Sequence, residues 1–138
     1  MNIASLELVR FESPTVPCHS EMFYNPSWFE IECAIRKLDR CVYRFVFLHR
    51  QIPALVPDLQ VSGGCGEYSI EAFQPDQTWL SYVEMERSSR EVGIWVSDQG
   101  DTRPEFLLCP DLAHVLAAVR YFCEIGSLNP EMRWINPS

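Results

Sequence analysis

Cys65 stands in the run Gly63-Gly64-Cys65-Gly66, where glycines permit a sharp turn and close approach of backbone to a ligand. A cysteine so placed is a nucleophile in principle, with His49 or His114 as the base that takes its proton. No family-type signature surrounds it, and a glycine turn between two strands accounts for the same residues. The run also lacks the Gly-x-x-x-x-Gly-Lys-Ser/Thr pattern of a phosphate loop. Cys18 adjoins His19, and Cys109 lies five residues before His114. Neither spacing has the second matching pair that zinc ligand sets show. Glu67, Glu71 and Glu84 supply carboxylates for acid–base work if they line a cleft. Asp98 and Asp101, in Ser97-Asp98-Gln99-Gly100-Asp101, could hold a cation, but the turn lacks the full ligand set of a calcium loop. A surface hairpin accounts for it more simply. The sequence thus nominates no catalytic residue, no metal ligand and no cofactor.

The elements that position these residues are legible from their periodicity. Ile3–Phe11 reads as a first strand, and Ser13–Pro26, with three prolines, as a loop. Ser27 followed by Glu30 is a capping-box pattern, and Trp28, Ile31, Ala34, Ile35 and Leu38 recur at helical spacing. This predicts a helix from about Ser27 to Arg40. A strand over Cys41–Leu48 follows, then another over Asp58–Ser62 and the glycine turn. Pro110 and Asp111 open a last helix with the apolar stripe Leu112, Val115, Leu116, Val119, Phe122 and Cys123, closed by Gly126. His114 sits at the edge of that stripe, as a packed or solvated histidine. The expected fold is α+β: a mainly antiparallel sheet of about five to seven strands with two main helices packed on one face, in a single domain over 1–138.

Between the glycine turn and the last helix the pattern alternates with period two. Gln74–Gln77 is read as closing a hairpin onto Thr78–Glu86, and Arg87–Arg90 another onto Glu91–Ser97, with Arg103–Leu108 as an edge strand. Pairing Phe73 with Thr78, and Glu86 with Glu91, puts Tyr68, Ile70, Ala72, Trp79, Ser81, Val83, Met85, Val92, Ile94 and Val96 on one core face. The opposite face then carries Glu67, Ser69, Glu71, Leu80, Tyr82, Glu84 and Trp95. In this register Glu67 opposes Glu84, a local cost in a sheet, and Tyr82 stands beside Trp95. Aromatics framed by charge compose protein-binding hot spots. A solvated sheet face is the bland alternative.

Composition bounds the partners. The chain has 138 residues, 47% hydrophobic and 22% charged, with a formal charge of −8. That is ordinary for one globular domain. An acidic surface repels phosphate backbones and speeds encounter with a basic protein, so nucleic acid is excluded as a partner and protein favoured. No window approaches the roughly 18 apolar residues of a membrane span, and Met1–Phe11 lacks the basic start and apolar run of an export signal. The expectation is a cytoplasmic protein whose six cysteines stay reduced and mostly buried as small apolar residues.

The C-terminal third carries Ala117, Val119 and Phe122 on the helix, then Gly126, Pro130, Glu131 and Trp134. This resembles the C-terminal signature of the Imm-one family of immunity proteins in bacterial polymorphic toxin systems. The glycine turn running into Tyr68 and Ile70 is similar as well, and the resemblance spans about Leu38 to Trp134. It implies an acidic α+β protein, without activity of its own, made beside a secreted toxin that is often a nucleic-acid deaminase. Inhibition would be by occlusion of a basic cleft on the cognate toxin domain. The contact residues rest on the sheet argument: Glu67, Glu71, Tyr82, Glu84 and Trp95, with Asp98 and Asp101 at the rim. A small structural or adaptor domain is the alternative class.

Overall fold

The computed structural model describes residues 2–11, 17–52, 56–94 and 102–137, the side chains of 17–19 excepted. The elements run β1 (Ser5–Phe11), β2 (Pro17–Tyr24), α1 (Trp28–Lys37), β3 (Tyr43–His49), β4 (Leu59–Gly64), β5 (Glu67–Phe73), β6 (Trp79–Val83), β7 (Glu91–Gly93), β8 (Thr102–Pro104), a 3-10 turn (Glu105–Leu107), α2 (Leu112–Ile125) and β9 (Arg133–Ile135). Seven strands form one sheet in the order β2-β1-β3-β4-β5-β6-β9, and β7 and β8 form a separate ribbon. Every pairing is antiparallel. The fold is α+β, as expected.

Both helices pack on one face of the sheet. Ile31, Ala34 and Ile35 of α1 and Val115, Ala118, Val119, Phe122 and Cys123 of α2 share one core cluster with Leu6, Leu8, Val46, Leu48, Leu59, Val61, Ile70 and Ala72. A fully buried side chain of this kind contributes about 1.5–3 kcal/mol, so this layer holds the molecule together.

The capping box forms as predicted: Glu30 N–H donates to Ser27 Oγ, and Ser27 N–H to the Glu30 carboxylate. The helix stops at Lys37 and does not reach Arg40. Leu38 leaves the helical conformation, with ψ 125°. Asp39 Oδ1 then accepts the backbone N–H groups of Cys41, Val42 and Tyr43 at 2.9, 2.9 and 3.0 Å. A short acceptor offered just past a helix competes with its next turn. Asp111 caps α2 by accepting from Ala113 N–H, and Gly126 closes it at φ 91°.

Two expectations about strands are corrected. Residues 17–24, read as loop, form strand β2, returning along β1 with Leu6 opposite Phe23. Pro17 begins an edge strand, where its missing N–H costs no ladder bond. The second hairpin does not form: β6 pairs with β9, not β7, and β7 pairs with β8. The edge strand expected at 103–108 is three residues of β8 followed by the 3-10 turn.

The glycine turn is a two-residue hairpin joining Gly64 to Glu67. Cys65 and Gly66 have φ of 52° and 85°, the positive pair that a type I′ turn requires. A Cβ on Gly63 would lie 2.1 Å from Glu67 O, and one on Gly64 2.5 Å from Leu38 O.

Candidate functional site

The expected acidic and aromatic patch is dispersed by a one-residue change of register. The β5–β6 connection has five residues, because Phe73 pairs with Trp79. Asp76 Oδ1 accepts from Thr78 N–H and Oγ1–H at 3.1 and 2.6 Å, and Gln74 N–H donates to Thr78 O. That side-chain turn holds an extra residue in the loop, and one residue inverts every side chain of β6. On β5, Tyr68, Ile70 and Ala72 face the helices as predicted. On β6 the core takes Tyr82, not Trp79, Ser81 and Val83.

Tyr82 is therefore not a surface contact. It is 6% exposed, pairs with Trp134 across β6 and β9, and meets the Trp134 ring edge to face. Its expected partner Trp95, like Asp98 and Asp101, lies outside the described residues. Trp134 packs against the core.

Glu67 does not oppose Glu84. Tyr68 is bridged by Cys109, and Glu84 N–H donates to Phe106 O at 2.7 Å, so Glu84 leaves the β5 ladder. Two of the three glutamates of the expected face, Glu67 and Glu71, have cationic partners. Arg87 forms a fork on Glu67, Nη1 to Oε2 at 2.7 Å and Nη2 to Oε1 at 2.8 Å, and its Nη2 also donates to Glu105 at 2.9 Å. Arg90 and Ser88 complete the shell around Glu105. These bonds, led by Arg90, hold the Glu105 carboxyl at about 2, and Arg87 is held protonated chiefly by Glu67. Arg103 of β8 lies 3.6 Å from Glu71, and Arg40 Nη1 donates to Gly93 O. The ribbon thus lies over the sheet face away from the helices, where Ser62, Ser69 and Ser81 are buried.

Across that face runs a row of cross-strand neighbours, Met22, Glu7, Phe47, Gln60, Glu71, Ser81 and Ile135, of which Ser81 is buried and the others stay at least partly open. Met22 and Ile135, at its ends, are exposed. Trp79, in edge-to-face contact with Phe73 at 5.1 Å, lines a cleft of about 420 Å³ with Gln60, Glu71 and Arg103. Sequence reasoning missed Trp79 because the assumed register sent it into the core.

A second concavity, of about 440 Å³, lies at the far end of β6, lined by Tyr82, Glu84, Met85, His114, Glu131 and Met132 among others. Tyr82 Oη donates to Glu84 Oε2 at 2.8 Å. Burial and this bond push the Tyr82 phenol above its ordinary value. Ligand atoms of Glu84, Cys109 and His114 all lie within 4.8 Å of one another here. Burial pushes the Cys109 thiol up. The Cys109–His114 spacing was visible in the sequence; Glu84, brought from another element, was not part of it.

Cys65 is exposed, and its Sγ contacts Asp39 O at 3.7 Å. His49 and His114, its possible bases, lie beside Glu7 and Asp111 respectively. Cys41 is exposed too, so the expectation of mostly buried cysteines holds for Cys109 and Cys123 only among the described side chains. Among the described residues no helix is long and apolar enough to cross a membrane. Comparison with protein-family models, with curated proteins and with solved structures finds no match.

Proposed function

We propose that this chain is an immunity protein, which binds a cognate secreted bacterial toxin in the cytoplasm of the producing cell and inhibits it by covering its active site. The observation that carries this reading is the sheet face away from the helices. Met22 and Ile135 stand exposed at the ends of its cross-strand row, with Phe47 half-buried between them. Trp79 flanks a cleft edged by Glu71 and Arg103. Apolar anchors framed by charged groups are how binding hot spots are built. The formal charge of −8 favours a basic partner through faster encounter. Glu67 and Glu71 face arginines, so exposed Asp76, Glu86 and Glu91 carry more of that attraction. The resemblance stated above adds the toxin class, a nucleic-acid deaminase with a basic cleft.

The test is recovery of the tagged protein from its producing strain. One co-purifying toxin domain, whose activity falls as the protein is added, supports the reading, and Trp79→Ala should then weaken the complex by about 2 kcal/mol. Recovery of the protein alone counts against it. The outer edge of β2, with Met22 and Tyr24 exposed, favours a second reading, an adaptor that assembles with itself by edge pairing. Oligomers that grow with concentration and vanish on replacing Tyr24 with lysine would select that reading.

A further inference from the structure

From Glu84, Cys109 and His114 we infer a zinc-binding site at the end of β6, where Glu84 and His114 line the concavity and buried Cys109 lies behind them, with three protein ligands and one position open to that concavity. The inference does not depend on the toxin reading. The three donor atoms lie within 4.8 Å of one another. They come from three separate places in the fold: the end of β6, the segment bridged to β5, and the first turn of α2.

The donor set selects the metal. Thiolate, imidazole and carboxylate together suit zinc and its borderline neighbours, whereas calcium and magnesium take oxygen ligands. Three protein donors with a free position is the arrangement of zinc sites that keep a water or an incoming ligand. Bonds of about 2.0–2.3 Å space tetrahedral donors about 3.3–3.6 Å apart, so a modest inward rotation closes the site. His114, with 59% of its side chain exposed, has room for that rotation.

The surroundings hold two of the ligands in place. Cys109 is fully buried and exchanges both backbone bonds with Tyr68, N–H to O at 2.7 and 3.0 Å. Tyr82 donates to Glu84 Oε2, leaving the other carboxylate oxygen for a cation. Asp111 Oδ2 lies 3.7 Å from His114 Nε2, placing beside the imidazole the carboxylate that orients a metal-bound histidine. On binding, the Cys109 proton passes to solvent as the zinc–sulfur bond forms, and the cation compensates the buried thiolate.

Cobalt(II) titration of the metal-free full chain tests this. We expect a single equivalent, a thiolate-to-cobalt charge-transfer band in the near ultraviolet, tetrahedral visible bands, and displacement of both by zinc. Cys109→Ser should abolish the charge-transfer band. His114→Ala, at an exposed position that cannot threaten the core, should weaken affinity by about tenfold or more. A double variant, Cys41→Ser with Cys65→Ser, should keep the band. Absence of binding overturns the inference, as does a band that follows Cys41 and Cys65, or affinity unchanged in His114→Ala. If Cys109→Ser fails to fold, His114→Ala and the double variant decide.

Discussion

Tyr82 and Trp134 stand opposite each other on β6 and β9, their rings 5.8 Å apart at 78°. The contact seals the edge of the helix-facing layer, and both polar tips are satisfied: Tyr82 Oη donates to Glu84, and Trp134 Nε1 to Asn129 O. Trp134→Ala should therefore destabilise the fold by about 2–3 kcal/mol, and Tyr82→Phe by about 1 kcal/mol. Urea midpoints of these variants check this, and the ring contact itself is read from Trp134→Ala, Tyr82→Leu and their double. Strictly additive effects would show that the rings do not couple, against an expected coupling of about 1 kcal/mol.

The glycine turn makes an asymmetric prediction. Gly63→Ala and Gly64→Ala each drive a Cβ into backbone, at 2.1 and 2.5 Å, whereas nothing lies within 4 Å of a Cβ on Gly66. Gly66→Ala should cost only the strain of its positive φ, about 1 kcal/mol. The other two should cost at least about 3 kcal/mol, within the severe class that backbone clashes produce. Thermal unfolding of the three variants should separate them clearly; equal losses would mean the turn relaxes freely.

Acid should unfold the protein partly through Glu105. Its carboxyl is lowered from an ordinary 4.5 to about 2, with Arg90 the leading cause, then Ser88. A lowered carboxyl stabilises the fold above its unfolded pKa, and that contribution is lost as pH falls from about 4.5 towards about 2. Glu105→Gln should reduce stability at neutral pH and flatten the dependence across that window. A slope identical to the parent's would remove Glu105 from the acid response.

Thiol reactivity should divide by burial. Cys41 and Cys65 are exposed, and Cys109 and Cys123 are buried. Burial pushes the Cys123 thiol up to about 12 and raises that of Cys109, so both hold their protons at neutral pH. Brief alkylation of the native protein, mapped by peptide mass, should modify Cys41 and Cys65 and spare the other two. Labelling of Cys109 as fast as Cys65 would contradict the packing.

Where local chemistry decides the structure, the residues announced it. Ser27 with Glu30, and Asp111 with Gly126, mark helix ends because their bonds close within a few residues. The inward face of β5 followed from alternation alone. The outward face of β6 did not, because the Asp76–Thr78 bonds set the loop length, and no hydrophobic pattern reports a one-residue loop extension. The β6–β9 pairing and the Glu84–Cys109–His114 convergence depend on contacts distant in sequence. Short strands of three residues, such as β7 and β9, carry too little alternation to be assigned partners.

The placement of β9 also orders events during synthesis. Strands β1 to β6 can pair as they emerge, each beside one already made. The edge of β6 waits until residues 133–135 have been translated, and translation adds about 5–20 residues per second. A ribosome stalled before that point holds a chain whose sheet ends in an uncovered β6, with Tyr82 lacking its aromatic neighbour. An unpaired edge of this kind is what exposes a partly folded chain to aggregation, so the short strand β9 is the one that closes this side of the sheet.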